Sequence, residues 1–159
     1  PCMKCDRNFV PNGEKTMSIQ SDQNLTVADV MLGMDACPVA NERTILKEVL
    51  EAMDAHRLGV VCIVDDATCL KGIMTEGDIR RKLLRVQKPF AALLADDVIM
   101  HAVTSPITIT ADAQLLDTLD LMGEKKIWDL PVVDSDMRLV GLLHLHQAIR
   151  GVLDTLQQS

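Results

Sequence analysis

The chain contains itself twice. Val61-Cys62-Ile63-Val64-Asp65, followed by Leu70-Lys71-Gly72-Ile73-Met74-Thr75-Glu76-Gly77-Asp78, returns 69 residues later. The second version reads Leu130-Pro131-Val132-Val133-Asp134, followed by Leu139-Val140-Gly141-Leu142-Leu143-His144-Leu145-His146-Gln147. The same offset links Met31 to Met100 and Met53 to Met122, and it slips by one between Pro38 and Pro106. A repeat of this kind decides the architecture before any single element is assigned. It implies two copies of one α/β unit, neither of which buries its apolar face alone.

Both copies follow one order. A short helix leads, Thr26 to Met31 and Leu93 to Met100. An extended segment follows near Pro38-Val39 and Pro106-Ile107. Next comes an amphipathic helix, with Ile45, Leu46, Val49, Leu50 and Met53 at helical spacing in the first copy and Leu115, Leu116, Leu119 and Met122 in the second. Two strands come after it, Val60 to Val64 and Leu130 to Val133 opening each pair, with polar turns at Asp65-Asp66-Ala67-Thr68 and Asp134-Ser135-Asp136. A last helix runs from about Gly77 to Leu84 and from about His146 to Leu153. The expected fold class is α/β (α+β), with two β-α-β-β-α repeats packed as a pseudo-twofold pair. Residues 25–86 form the first repeat and 87–159 the second.

Residues 1–24 lie outside the repeat and read as an arm. They carry Cys2 and Cys5, and an Asn12-Gly13 hairpin signal. Cys2-x-x-Cys5 is half of a zinc knuckle, and a full site needs four ligands. Cys37, or a second copy of the chain, would have to supply the rest; a redox pair and an incidental tail stay open beside zinc. Cys62 and Cys69 fall in apolar or hairpin sequence, as buried free thiols of a reducing compartment would.

Apolar residues make up 48% of the chain but aromatics only 2%, so aliphatic residues and nine Met must fill the core. A net charge of −7 argues against a general nucleic-acid binder, which needs a basic stripe. No apolar run is long enough to cross a bilayer and no secretory signal is recognisable, so no membrane association and a cytoplasmic location are expected.

One junction carries chemistry. At Gly72 to Asp78 a strand ends and a helix begins. Backbone N–H groups and the helix dipole at such a start favour an anion. Gly72 and Gly77 permit close backbone approach. The Thr75 hydroxyl can donate to a phosphate oxygen, and the Asp78 carboxylate can accept from vicinal hydroxyls such as those of a ribose. The bland alternative is that Thr75 and Asp78 only cap the helix. Lys71, Arg80, Arg81, Lys82 and Arg85 make the densest basic cluster in an acidic chain. They either offset an anionic ligand or form a solvated helix face.

The repeated order of helix, Pro-containing strand, helix, Leu130-Pro131-Val132-Val133-Asp134, hairpin and Thr75-x-x-Asp78 helix resembles the cystathionine-β-synthase (CBS) domain, two of which form a Bateman module. The resemblance covers residues 25–153. Gly72 to Arg81 and Gly141 to His146 are most similar to the CBS pair of bacterial arabinose-5-phosphate isomerases, whose catalytic domain would precede the module. The family assigns Thr75 to phosphate and Asp78 to ribose. It also implies an apolar base pocket that uses backbone groups of the second strand of each copy. Val61 and Cys62 would form it in the first copy, Asp129, Leu130 and Pro131 in the second, with Val39 and Ile107 on the facing walls. Trp128 either stacks on a base or packs against a helix or a dimer partner.

The second copy departs from the pattern. His144 stands for Thr and Gln147 for Asp, so its site prefers another ligand, binds weakly or is empty. His144 and His146 lack Cys or Asp at metal-ligand spacing.

These readings converge on a non-catalytic, ligand-sensing pair that binds an anionic adenine nucleotide (AMP or ATP) or the nucleotide-sugar CMP-Kdo between its repeats. A homodimer is expected, with the helices around Met53 and Met122 as candidate faces, and an enzyme or transporter as the partner that reads the signal. No nucleophile–base set or paired carboxylates favour an enzyme. A regulatory piece of a sugar-phosphate isomerase, or a dimerisation module with vestigial sites, remains as an alternative.

Overall fold

Two three-stranded sheets, one from each copy, share a core. The computed structural model describes residues 25–158. In the first copy β2 (Val39–Asn41) runs parallel to β3 (Val60–Val64), which pairs antiparallel with β4 (Leu70–Thr75). In the second, β5 (Asp129–Val133) pairs antiparallel with β6 (Leu139–His144), and β1 (Leu32–Gly33) joins the far side of β6. Cys62, Val64, Leu70 and Ile73 from one sheet pack with Val133, Leu139 and Leu142 from the other. Every residue of β3 is buried, which explains its unbroken apolar run.

Each sheet carries an amphipathic helix on its outer face. In α1 (Leu46–His56), Leu46, Val49 and Met53 meet Val61, Ile63 and Met74. In α4 (Leu115–Lys125), Leu115, Leu121 and Met122 meet Leu130, Val132 and Leu143. The backbone repeats as faithfully as the sequence. Left-handed residues follow both helices, Arg57 at φ 52° and Lys126 at φ 54°. They recur in both hairpin turns, Thr68 at φ 63° and Met137 at φ 60°. The two hairpins meet end to end, Leu70 N–H donating to Met137 O and Leu139 N–H to Thr68 O, at 2.9 and 3.0 Å.

The leading segments cross over. Val27 N–H donates to Ala113 O of the second copy at 2.9 Å, and Val98 N–H to Thr44 O of the first at 2.8 Å. Val27 is buried in the second copy's core; Leu93 and Val98 are buried in the first's. Further on, Gly33 pairs with Gly141, and Val103 exchanges backbone bonds of 2.9 and 3.0 Å with Ile73. Each copy thus completes the other, as a unit unable to bury its own face requires.

Several sequence expectations change. The leading helix of the first copy is a 3-10 turn, Val27–Asp29, closed by Asp29 accepting from Thr26 N–H and Oγ1 at 2.8 Å each. Its counterpart divides into α3 (Phe90–Leu94) and a 3-10 turn, Val98–Met100. Pro106-Ile107 forms no strand; Ile109 alone bridges in parallel to Val132. On the helices expected as candidate dimer faces, Met53 and Met122 themselves are 3% and 1% exposed because they point at the sheets. Exposed apolar residues include Leu83 and Leu84 on α2 (Glu76–Arg85), Ile149, Leu153 and Leu156 on α5 (Leu145–Gln158), and Leu116 on α4. Cys62 is a buried free thiol, as expected, 4.0 Å from the free Cys37 sulfur. Cys69 is buried but disulfide-bonded, which corrects the expectation of a free thiol there. Cys2, Cys5 and the Asn12-Gly13 turn lie outside the described residues. Among the described residues no helix is long and apolar enough to cross a membrane.

Candidate functional site

The start of α2 opens on a cavity of about 730 Å³ between the copies. One wall comes from the first copy: Gly59, Ile73, Thr75, Glu76, Gly77, Asp78 and Arg81. The other comes from the second: Val103, Pro106, Ile107, Lys126, Trp128, Asp129 and His144 among them. The strand–helix junction predicted to hold an anion therefore faces the chain around residues 105–107 and 126–129 of the opposite repeat.

Thr75 and Asp78 form a complete capping box. Asp78 Oδ2 accepts from Thr75 N–H at 2.9 Å and from Thr75 Oγ1 at 2.7 Å, and Thr75 Oγ1 accepts from Asp78 N–H at 3.3 Å. Arg81 Nη2 donates to Asp78 Oδ1 at 2.6 Å. Burial pushes the Asp78 carboxyl up, but the bonds from Arg81 and Thr75 outweigh it and hold the group below its usual value. Asp78 is thus an anchored carboxylate. Its Oδ1 has one donor and keeps lone-pair capacity for hydroxyls. The cap and the ligand role share the same atoms, so the geometry of the cap is compatible with both.

Across the cavity Asp129 and His144 pair, Oδ1 to Nδ1, at 2.7 Å. Burial raises the Asp129 carboxyl above its ordinary value, and the bond from His144 offsets this only in part. A carboxyl whose folded pKa is raised contributes stability below its unfolded pKa, and that contribution is lost as pH rises through the folded pKa. Asp129→Asn removes the buried charge and keeps an oxygen to accept from His144. The variant is expected to melt above wild type near neutral pH, with the gap closing as pH falls into the ordinary carboxylate range. Scanning calorimetry across that range checks this; a pH-independent gap would contradict it.

Of the residues expected at a site, Thr75, Asp78, Arg81, Ile107, Trp128, Asp129 and His144 line this one cavity. Trp128 stands at the cavity, 67% exposed. Other predicted residues lie elsewhere. Val61 and Cys62 are wholly buried, Val61 against the α1 side of the sheet and Cys62 in the shared core. Val39 packs on that shared core and Pro131 is buried, its carbonyl accepting from Ile109 N–H at 3.1 Å. Strand alternation sends the side chains of Val61 and Cys62 into the cores on opposite faces of their sheet. Gly72 makes room for protein backbone, since a Cβ there would lie 2.8 Å from Val103 O. Arg80 is exposed on α2 outside the cavity, and Lys71 pairs with Asp65 at 3.0 Å. Gln147 does not line the cavity; its Oε1 is buried without a partner among the described residues. No group of metal-ligating residues occurs among the described residues, around His144 and His146 or elsewhere. Sequence reading missed Lys126, at the end of α4, and the chain at Ser105 and Pro106, just beyond the crossing segment.

A family model described as CBS domain matches residues 27–85 and 95–154. Arabinose 5-phosphate isomerase KdsD of Yersinia pestis is 31% identical over 127 residues, 80% of this chain and 37% of that protein. The protein of the same name from Pseudomonas aeruginosa is 32% identical over 127 residues, 80% of this chain and 38% of its own length. A Helicobacter pylori protein is 34% identical over 113 residues, 70% of this chain and 33% of its own length. The chain therefore spans about a third of the length of these curated relatives. Among solved structures, CBSX2 in complex with AMP superposes with a TM-score of 0.73 at 26% identity, covering 82% of this chain and 98% of that one. The CBS domain pair of MJ0100, in complex with 5-methylthioadenosine and S-adenosyl-L-methionine, shares the fold at a TM-score of 0.71 and 21% identity, covering 84% and 99%.

Proposed function

Because the chain belongs to the CBS-domain family, we propose that it is a non-catalytic sensor that binds an anionic adenine nucleotide in the cleft between its repeats. The observation that carries this reading is the cavity of about 730 Å³ that opposes Thr75, Asp78 and Arg81 to Trp128, Asp129 and His144. In this reading the ribose hydroxyls donate to Asp78, the phosphate meets the α2 start and Arg81, and the base lies between Ile107 and Trp128. The complex of CBSX2 with AMP supports adenine nucleotides as the first class to test. Ligand acts by differential affinity: it favours whichever arrangement of the repeats closes the cleft best, and a bound enzyme or transporter reads the shift. The setting we assign is cytoplasmic.

Likeness to the arabinose-5-phosphate isomerases favours one further reading, a regulatory module that answers to CMP-Kdo. Calorimetric titration of AMP, ATP, cytidine nucleotides and CMP-Kdo into protein stripped of carried ligand separates these. Binding of none at millimolar concentration would end both and leave a module with vestigial sites.

The module pairs as a twofold homodimer through the apolar faces of α2 and α5. Leu84 on α2 is 82% exposed, an apolar surface that a partner copy would cover. Light scattering is expected to give a dimer for wild type and, at the same concentration, a monomer for Leu84→Asp combined with Leu153→Asp. A wild-type monomer at high micromolar concentration would contradict the assembly.

A further inference from the structure

A second cavity, of about 280 Å³, lies further along α2. Its wall on the helix is basic: Arg81, Lys82 and Arg85, with Asp78 as its one carboxylate. His101 and Val103 face them from the crossing segment of the second copy. Positions 78, 82 and 85 recur at helical spacing and so share one side of α2. Neither Lys82 nor Arg85 has an ion pair among the described residues. His101, with a side chain 8% exposed, is held through Nε2 by Asp96 at 3.0 Å, and Asp96 also takes Lys88. The other ring nitrogen of His101, Nδ1, is buried with no partner among the described residues. His101 thus brings a buried ring with one unpartnered nitrogen to a lining that carries three cations.

The two cavities share Asp78, Arg81 and Val103, so they adjoin. From Asp78 to Arg85 the helix rises about 10 Å, a length that matches two or three linked phosphates. The basic cluster in the sequence is thus not a uniformly solvated face. Arg80 points elsewhere, while Arg81, Lys82 and Arg85 converge on one hollow in a chain of net charge −7.

We propose that this second cavity is an oligophosphate site, in which Arg81, Lys82 and Arg85 bind a pyrophosphate-type group. The group arrives either free or as the tail of a nucleotide seated in the cleft; the second route rests on the sensor reading above. Arg81 belongs to both cavities. An anion that draws its guanidinium away from Asp78 would free that carboxylate for a hydroxyl ligand, which couples the two sites.

The test is calorimetric titration with inorganic pyrophosphate, AMP and ADP at fixed ionic strength, on wild type and on Lys82→Gln combined with Arg85→Gln. Both side chains lie on the surface of α2, and circular dichroism melting confirms that the double variant folds. Pyrophosphate is expected to bind wild type and to lose about tenfold or more in the variant, as removal of charged hydrogen-bond donors implies, while AMP is unchanged. A gain of ADP over AMP that the variant abolishes identifies the nucleotide tail as the source. Simultaneous binding of AMP and pyrophosphate identifies a separate anion. Equal pyrophosphate affinity in wild type and variant overturns the site. So does loss of pyrophosphate binding in Thr75→Val with retention in the double variant, which would put the anion in the cleft. Failure of AMP and the other nucleotides to bind, with pyrophosphate binding intact, would sink the sensor reading and leave this one standing.

Discussion

Gly141→Ala is expected to be the most damaging single-methyl change in the described chain outside the helices. A Cβ at this position would lie 2.5 Å from Leu32 O and 3.1 Å from Met31 Sδ. The oxygen belongs to the backbone of β1, which pairs with β6 at this residue, so it cannot swing aside as a side chain would. The variant must either push β1 off the sheet or bend β6, and overpacking of this kind costs about 1–3 kcal/mol. Gly72→Ala meets the same obstacle in the other copy, 2.8 Å from Val103 O. The internal control is Gly123→Ala. Nothing lies within 4 Å of a Cβ there, and the residue sits inside α4. That change is expected to stabilise by about 0.5–1 kcal/mol through helix propensity. Urea unfolding of the three variants reads the contrast directly. If Gly141→Ala is as stable as Gly123→Ala, the leading segments do not cross between the copies.

That crossing marks the boundary of what the sequence reveals. The repeat, the order of elements and the pairing of Val60–Val64 with Leu70–Thr75 are legible because local periodicity and turn residues encode them. The destination of Leu32-Gly33 is not. Antiparallel pairing of Leu32 with Leu142 and Gly33 with Gly141, in the other copy's sheet, leaves no local periodicity, only a glycine at the point of approach. The same gap explains the site. Thr75, Asp78 and Arg81 are legible because the strand–helix junction is a local event. Their true neighbours, Ile107, Trp128, Asp129 and His144, belong to the opposite copy. The side chains of Val61 and Cys62, named for the base wall through their strand, enter the cores on either face of the sheet. A related limit holds for the helices around Met53 and Met122: helical spacing shows an apolar stripe, but not whether sheet or solvent faces it, and both methionines turn to the sheets.

The cleft and the cap make different demands on Asp78, and one substitution separates them. Asp78→Ala removes the acceptor of three hydrogen bonds, two from Thr75 and one from Arg81. Loss of the cap alone costs about 0.5–2 kcal/mol of stability, so a lower melting temperature is expected whatever the ligand. If the carboxylate also accepts ribose hydroxyls, nucleotide affinity falls by about 1.5–3 kcal/mol, the range for hydrogen bonds to charged groups. That is about ten- to a hundredfold. Thr75→Val should cost less affinity, because the backbone donors at the helix start survive the loss of one neutral hydroxyl. Gln147→Ala should leave it unchanged, since Gln147 does not line this cavity. Asp78→Asn refines the comparison: its amide oxygen still accepts from Thr75, but Arg81 loses its ionic partner and the hydroxyls lose charge assistance. A sensor therefore predicts that Asp78→Asn keeps most of the melting temperature and little of the affinity. A cap-only role predicts the same melting order, with Asp78→Ala lowered and Asp78→Asn largely kept, but titration curves that superpose on wild type for every variant.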